Sequence, residues 1–249
     1  MDRVALVTGT TSGIGYAVAD ALLRRGWHVI GAARRASAIT HAAYEHLEVD
    51  RRDTDGLSSV MDSRLTAVLS DRALRRVGLV NNAADPGLLG PIEHLDTRRL
   101  SEVMAVNFSA PVALMGAFVR LTAPGTRLRI VNVSSGAAVR GFAGLGAYGA
   151  SKAALRMAGL VLAAEMETAP AGAQREGRVS ILSYEPGTVD TPMQAHARAQ
   201  THFTLPSVEL FVRFNADGRL VPPSAPAAEI ADFLESDGRE PFAERRFGS

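Results

Sequence analysis

Short apolar runs alternate with longer segments of helical periodicity along the 249 residues, and this alternation constrains the fold most strongly. Runs of four to six apolar residues predict strands, whereas apolar positions spaced three to four apart predict helices. The predicted strands are 4–8, 28–33, 47–50, 77–80, 128–133 and 179–184, with a last one near 241–247. The predicted helices are 14–25, 55–69, 97–121 and 147–168.

Strands that alternate with helices of this length favour βαβ units and a parallel sheet. Right-handed crossovers then place helices on both faces of the sheet, which gives a doubly wound α/β fold. No linker or repeat interrupts the pattern, so we expect one domain over residues 1–249. Ligands of such folds bind beyond the carboxyl ends of the strands, where the strand order reverses.

Composition excludes several classes of function. The chain has no cysteine, which rules out disulfides, zinc–thiolate centres and cysteine nucleophiles. Its formal net charge of +1 gives no bulk attraction to nucleic acid. The six histidines form no metal-ligand pattern, so no metal is expected. We found no apolar run of about 18 residues and no leader-like segment, and therefore expect no membrane span and a cytoplasmic location.

A glycine-rich segment, TGTTSGIG, joins the first predicted strand to the first predicted helix. Glycines permit a tight turn and a close approach of phosphate, and the helix start supplies unpaired N–H groups. The spacing is neither the G-x-G-x-x-G dinucleotide pattern nor a Walker sequence, and a plain helix-entry turn is the alternative interpretation. The candidate phosphate ligands are Gly9, Thr11, Ser12, Gly13, Ile14 and Gly15.

Two arginines, Arg34 and Arg35, stand where the second predicted strand ends. An acidic residue there would bind a ribose 2′-hydroxyl, whereas a guanidinium fork suits a 2′-phosphate. The pair therefore favours NADP(H), although it could also begin a solvated helix. Asp50 follows the third predicted strand and is either a ligand for the adenine amino group or a turn residue.

Tyr148 and Lys152 lie four residues apart on a predicted helix and so share a face. Lys152 is the single lysine of the chain. A nearby ammonium lowers the pKa of a phenol, which makes it a better acid at neutral pH. Ser135 follows the fifth predicted strand and precedes Tyr148 by thirteen residues.

Together these segments resemble the short-chain dehydrogenase/reductase family. The matching segments are 8–15, 81–83, Asn107, Ser135 with Tyr148 and Lys152, and 186–191, in the family's order across nearly the whole chain. The resemblance implies a single Rossmann-like domain with about seven strands in the order 3-2-1-4-5-6-7. It also implies a nicotinamide-dependent oxidoreductase.

The resemblance further implies a role for each catalytic candidate. Tyr148 would donate a proton to a substrate carbonyl oxygen, and Ser135 would orient that oxygen. Lys152 would lower the pKa of Tyr148 and hold the nicotinamide ribose. Asn107 would position a water that relays protons to Lys152.

Further residues would bind the cofactor by the same resemblance. Asn81 and Ala83 would line its path, and Arg34 would hold the 2′-phosphate. The segment after the sixth strand would cover the nicotinamide through Pro186, Gly187, Val189 and Thr191.

The stretch 184–194 is similar to the sepiapterin reductase and benzil reductase members of this family, and the stretches 135–138 and 211–223 are similar to the benzil reductases. This similarity implies a small ketone or a vicinal diketone as the substrate. Segment 194–226 is predicted to be a lid over that substrate, with Met193, Phe203 and Phe211 as candidate contacts. A small amphipathic helix at the edge of the core is the alternative.

Three other expectations stay open at this point. The enzyme could instead be a 3-oxoacyl-carrier-protein reductase or a generic alcohol dehydrogenase. The chain could also be a non-catalytic NADP-binding sensor. A homodimer or homotetramer is expected, with the helix of Tyr148 at the contact, although its face of Ala154, Ala158, Val161 and Leu162 could equally pack on the sheet.

Overall fold

The computed structural model describes residues 1–53, 56–57, 59, 61–87, 89–168 and 178–249. Its strands form one sheet in the order β3-β2-β1-β4-β5-β6-β7, and all neighbouring strands are parallel. The predicted strand order is therefore confirmed. The strands are β1 (Arg3–Thr8), β2 (His28–Ala33), β3 (Tyr44–Glu48), β4 (Arg76–Asn81), β5 (Arg127–Val133), β6 (Val179–Glu185) and β7 (Phe242–Arg246).

Helices cover the sheet on both sides. They are α1 (Gly13–Arg24), α2 (Thr66–Leu69), α3 (Thr97–Met104), α4 (Ala110–Leu121), α5 (Gly146–Thr168), α6 (Pro192–Arg198), α7 (Val208–Ala216) and α8 (Ser224–Glu235). Two π-helical turns, Met61–Leu65 and Ala105–Ser109, precede α2 and α4. Short 3-10 turns lie at Ile92–His94 and Gly136–Ala138.

The hydrophobic core consists of two layers, one on each face of the sheet. One layer joins Leu79 and Ile130 to Phe118 of α4, and the other joins Val7 to Trp27 and to helix α8. Strands buried on both faces carry nearly continuous apolar sequence, which explains the runs seen in the sequence. The predicted doubly wound α/β fold is confirmed.

The edge strands depart most from the sequence prediction. The third strand was expected at 47–50, but it spans Tyr44–Glu48. As an edge strand it is only partly buried and carries polar side chains, so its apolar signal is weak. The last strand pairs with β6 through Ile181 and Phe242, close to its expected place. Part of the predicted helix 55–69 falls outside the described residues.

Helices α3 and α4 form one stretch, Thr97–Leu121, interrupted by the π-helical turn. Pro111 has no N–H to donate to the carbonyl of Asn107, which accounts for the irregular turn at this point. Within the described residues, this stretch is the one helix long and apolar enough to cross a membrane. Half of its most apolar window is buried inside the protein, as in a core helix.

Candidate active site

The glycine-rich loop lies between the carboxyl end of β1 and the start of α1. Gly9 has a φ of 79°, and a Cβ there would lie 2.7 Å from the Ala83 Cβ. A Cβ on Gly15 would lie 2.4 Å from the Gly9 carbonyl oxygen. Ser12 stands at the N-cap of α1 without a side-chain capping bond. The loop thus brings backbone and helix N–H groups together in a form suited to an anion.

Thr8 and Asn82 join this loop to the turn after β4. The Thr8 hydroxyl accepts hydrogen bonds from the backbone N–H groups of Asn82 and Ala83, both at 3.0 Å. The Asn82 amide donates to the Thr8 carbonyl at 2.8 Å. The Asn81 side chain instead donates to Asn132 inside the sheet, so the structure does not bring it to the cleft. Asn82 was missed, although it is the middle residue of the 81–83 motif.

The nucleotide end of the cleft is rich in arginine. Arg34 and Arg35 follow β2 directly and are exposed. The carboxylate of Asp50 accepts from the Arg52 backbone N–H at 3.0 Å and from its guanidinium at 2.7 Å. These contacts, with hydrogen bonding to the Arg52 side chain first, hold the pKa of Asp50 below its usual value. They are the contacts of a turn residue, and adenine binding by Asp50 stays a prediction.

The structure brings Ser135, Tyr148 and Lys152 together at the carboxyl end of β5. The Ser135 hydroxyl accepts from the Ala137 N–H at 3.2 Å and lies close enough to the Tyr148 hydroxyl to lower its pKa. Lys152 is buried, and its Nζ lies 5.7 Å from the centroid of the Tyr148 ring. The same Nζ donates to the Val133 carbonyl at 2.6 Å. The four-residue spacing therefore places an ammonium below the phenol ring.

Burial controls the titration of both groups. It raises the pKa of Tyr148 to about 12, and the Ser135 hydroxyl opposes this only in part. Burial, followed by the charge of Arg51, lowers the pKa of Lys152 to about 7. Desolvation disfavours the phenolate and the ammonium alike. The expectation that Lys152 lowers the pKa of Tyr148 stays a prediction.

Asn107 is a buried connector between the turn after β4 and helix α5. Its Oδ1 accepts from the Asp85 N–H at 2.7 Å, and its Nδ2 donates to the Asp85 carbonyl at 2.8 Å. Nδ2 also donates to the Ser151 hydroxyl at 3.0 Å, which in turn donates to the Tyr148 carbonyl at 2.7 Å. Ser151 was missed in the sequence, where its one signal is its place beside Lys152. The water relay stays a prediction.

The segment after β6 crosses the cleft towards the glycine-rich loop. Pro186 and Gly187 form the turn, and Gly187 has a φ of 73°. Val189 pairs with Val221 in an isolated bridge, and Thr191 caps α6 by accepting from the Gln194 N–H at 3.3 Å. A Cβ on Gly13 would lie 3.2 Å from Cγ2 of Thr191. This segment is therefore placed to cover a ligand that lies on the loop.

The predicted lid contains the rest of α6, helix α7 and the turns between α6 and α8. Phe203 is 68% exposed and stacks on His94, with the ring centroids 6.1 Å apart. A Cβ on Gly144 would lie 2.5 Å from the Thr204 carbonyl oxygen, so the lid touches the loop before Tyr148.

The other two candidate contacts lie on helices of the lid. Met193 is half-buried in α6. Phe211 in α7 lies edge-on to Phe214 at 6.4 Å. The alternative of a small amphipathic helix thus describes α7, whereas the contact of Phe203 with a substrate stays a prediction.

Among the described residues, no group of three or more His, Cys, Asp or Glu side chains is arranged to hold a metal.

The fold and the Ser–Tyr–Lys arrangement define an oxidoreductase of the Rossmann class. A family model described as short chain dehydrogenase matches residues 3–202, and the chain belongs to this family of oxidoreductases, whose members use a nicotinamide cofactor.

Similar proteins cover nearly all of the chain. Benzil reductase ((S)-benzoin forming) of Bacillus cereus is 28% identical over 94% of this chain and 95% of its own. Sepiapterin reductase of Meriones unguiculatus is 30% identical over 94% of this chain and 92% of its own. A crystal structure of a short-chain dehydrogenase/reductase from Saccharomyces cerevisiae superposes with a TM-score of 0.80 at 25% identity, covering 99% of this chain and 96% of that one.

Proposed function

We propose that this protein is an NADPH-dependent carbonyl reductase that reduces a small ketone or a vicinal diketone to the alcohol. The observation that carries the proposal is the grouping of Ser135, Tyr148 and buried Lys152, with the Lys152 Nζ 5.7 Å from the centroid of the Tyr148 ring. The similarity to proteins named benzil reductase and sepiapterin reductase supports the substrate class.

The residues around the cleft fit a nicotinamide dinucleotide. The loop from Gly9 to Gly15 is packed too closely to admit a Cβ at Gly9 or Gly15, which leaves its backbone N–H groups accessible to phosphate, and the uncapped start of α1 suits a diphosphate. Arg34 and Arg35 would hold a 2′-phosphate, which is why we favour NADPH over NADH. Lys152 would bind the nicotinamide ribose. When bound, the reduced nicotinamide supplies the hydride that the carbonyl carbon accepts.

The chain itself supplies orientation and a proton. The Ser135 hydroxyl would donate a hydrogen bond to the substrate carbonyl oxygen and fix its position. That oxygen would take the proton of the Tyr148 hydroxyl, so that the carbonyl becomes an alcohol. The Lys152 ammonium would stabilise the tyrosinate that this transfer leaves behind.

Exposed apolar side chains favour a partly apolar substrate. Val139 follows the turn that Ser135 caps and is 64% exposed. Ile92 is 75% exposed and borders Gly146 at the start of α5. Together with Phe203 of the lid, these side chains present apolar surface from three segments next to the catalytic residues.

The first test is a spectrophotometric assay at 340 nm with NADPH and with NADH. The carbonyl panel contains benzil, 2,3-butanedione, sepiapterin and an acetoacetyl thioester. We expect turnover of a vicinal diketone with NADPH preferred. Turnover of the thioester alone would favour an acyl-carrier reductase, and tight NADPH binding without any turnover would favour a sensor. A preference for NADH would refute the role of Arg34.

The paired variants Tyr148→Phe and Tyr16→Phe test the proton donor. Each removes one phenolic hydroxyl, and Tyr16 lies on the exposed side of α1. Tyr148→Phe should abolish turnover while NADPH still binds, and Tyr16→Phe should retain activity. Equal loss of binding and turnover in Tyr148→Phe would contradict the assignment.

A further inference from the structure

Arg51 is a partly buried charged side chain to which the proposed mechanism gives no role. It follows Asp50, beyond the end of β3. Its side chain borders a small cavity shared with apolar side chains, including Leu6, Val49 and Leu114. Burial lowers the pKa of Arg51 to about 10, so it stays charged at neutral pH. A buried cation in apolar surroundings is costly and calls for a compensating contact.

The compensating contacts join two parts of the active site. Nη1 of Arg51 donates to the Ala83 carbonyl at 2.8 Å and to the Val106 carbonyl at 3.3 Å. Ala83 belongs to the turn that Thr8 holds against the glycine-rich loop. Val106 lies in the π-helical turn immediately before Asn107. One nitrogen thus links the cofactor side of the cleft to the segment that supports Tyr148 through Ser151.

The charge of Arg51 also acts on Lys152. Four charged groups face this guanidinium: Arg34 after β2, its neighbour Asp50, Asp85 after β4, and Lys152 on α5. Lys152 meets one further titratable group, Tyr148 on its own helix. Two cations that approach each other in a buried region oppose each other's charged form.

We propose that Arg51 is a positioning residue of this active site, which ties the Ala83 turn to the Asn107 helix through its two hydrogen bonds. Its value for catalysis rests on the proposed function, whereas its two hydrogen bonds and its effect on the titration of Lys152 do not.

The single lysine of the chain makes a direct test possible. Labelling with lysine that carries ¹³C at the ε carbon gives one side-chain resonance, and its chemical shift against pH reports the titration of Lys152. In Arg51→Met, we expect the midpoint to move upward, because a cation that disfavours the ammonium of Lys152 is removed. Arg52→Met is the matched control, because Arg52 is exposed and bound to Asp50. Its midpoint should match the wild type.

Two further variants separate charge from positioning. Arg51→Gln keeps an amide donor without a charge, so it should also shift the midpoint of the Lys152 titration upward. This variant replaces Arg51→Met in the test if Arg51→Met does not fold. Arg51→Lys keeps the charge and should leave Lys152 near the wild-type midpoint, with a second resonance from the new lysine. NADPH affinity, followed by cofactor fluorescence, should fall more in Arg51→Met than in Arg51→Lys.

An unchanged midpoint together with wild-type NADPH affinity in folded Arg51→Met or Arg51→Gln would overturn the proposal, because neither side of the link would then depend on Arg51. An equal shift in Arg52→Met would do the same, because the effect would then be general and not specific to Arg51. Neither measurement needs a substrate. A failure of the carbonyl assay would therefore leave this result intact, and the two proposals are tested separately.

Discussion

Replacing Asn107 by alanine should loosen the contact between the turn after β4 and helix α5. The Asn107 side chain is 1% exposed and forms three hydrogen bonds, at 2.7, 2.8 and 3.0 Å. Its loss leaves the N–H and carbonyl of Asp85 and the hydroxyl of Ser151 without these partners. A buried polar group left unpaired costs about 1–3 kcal/mol. Since the Asp85 groups are only partly buried, we expect a total of about 3 kcal/mol.

An unfolding experiment can measure a loss of stability of this size. For a domain of this size, a loss of 1 kcal/mol lowers the Tm by about 2–4 °C, so Asn107→Ala should melt roughly 6–12 °C below the wild type. Urea titration monitored by circular dichroism would give the free energy of unfolding independently. Asn215→Ala is the matched control, because Asn215 is an exposed asparagine on α7. It should change the Tm by no more than about 2 °C.

A second readout follows from the link to Tyr148 through Ser151. Asn107→Ala should lower turnover more than it lowers NADPH affinity, because the tyrosine and not the phosphate loop loses support. Wild-type stability in Asn107→Ala would refute the hydrogen-bond argument. A loss of stability with unchanged turnover would show that Asn107 supports the fold without positioning Tyr148.

The remaining predictions concern charge, backbone space, cofactor choice and assembly. Burial lowers the pKa of Lys152 to about 7, so between pH 7 and pH 10 the folded protein has released a proton that the unfolded chain still binds. The free energy of unfolding, measured by urea titration, should therefore rise over this pH range in the wild type more than in Lys152→Met. Gly9→Ala should abolish NADPH binding in an equilibrium titration, since its Cβ would meet Ala83 at 2.7 Å. Arg34→Ala should weaken NADPH binding by about tenfold or more and leave NADH binding nearly unchanged, measured side by side by fluorescence. Val161 is 49% exposed on α5, and we propose that this face joins two copies of the chain, so light scattering should show an oligomer for the wild type and a monomer for Val161→Arg.

Repetitive local patterns made most of the fold predictable from the sequence. A strand that is buried on both faces needs apolar residues along its length, and so β1, β2, β4, β5 and β6 could be recognised without knowledge of their partners. The glycine-rich loop could be recognised because only glycine suits its backbone and its close contacts, as Gly9 and Gly15 show. The Tyr148–Lys152 pair needed only the period of a helix.

These local patterns could not predict contacts between segments that are distant in the chain. Edge strand β3 had a weak signal, because an edge strand is half exposed and its position is set by pairing with β2. The three partners of Asn107 and the two carbonyls bound by Arg51 belong to segments far apart in the chain.

The sequence by itself determined the fold class, the strand order and the candidate catalytic side chains, since these follow from local periodicity and from a family resemblance. Only the tertiary structure decided how those side chains titrate. The pKa of Tyr148 rises and that of Lys152 falls because both are removed from water, and desolvation depends on every segment that packs around them. No local pattern in the sequence encodes this desolvation, because it is the combined effect of all those segments.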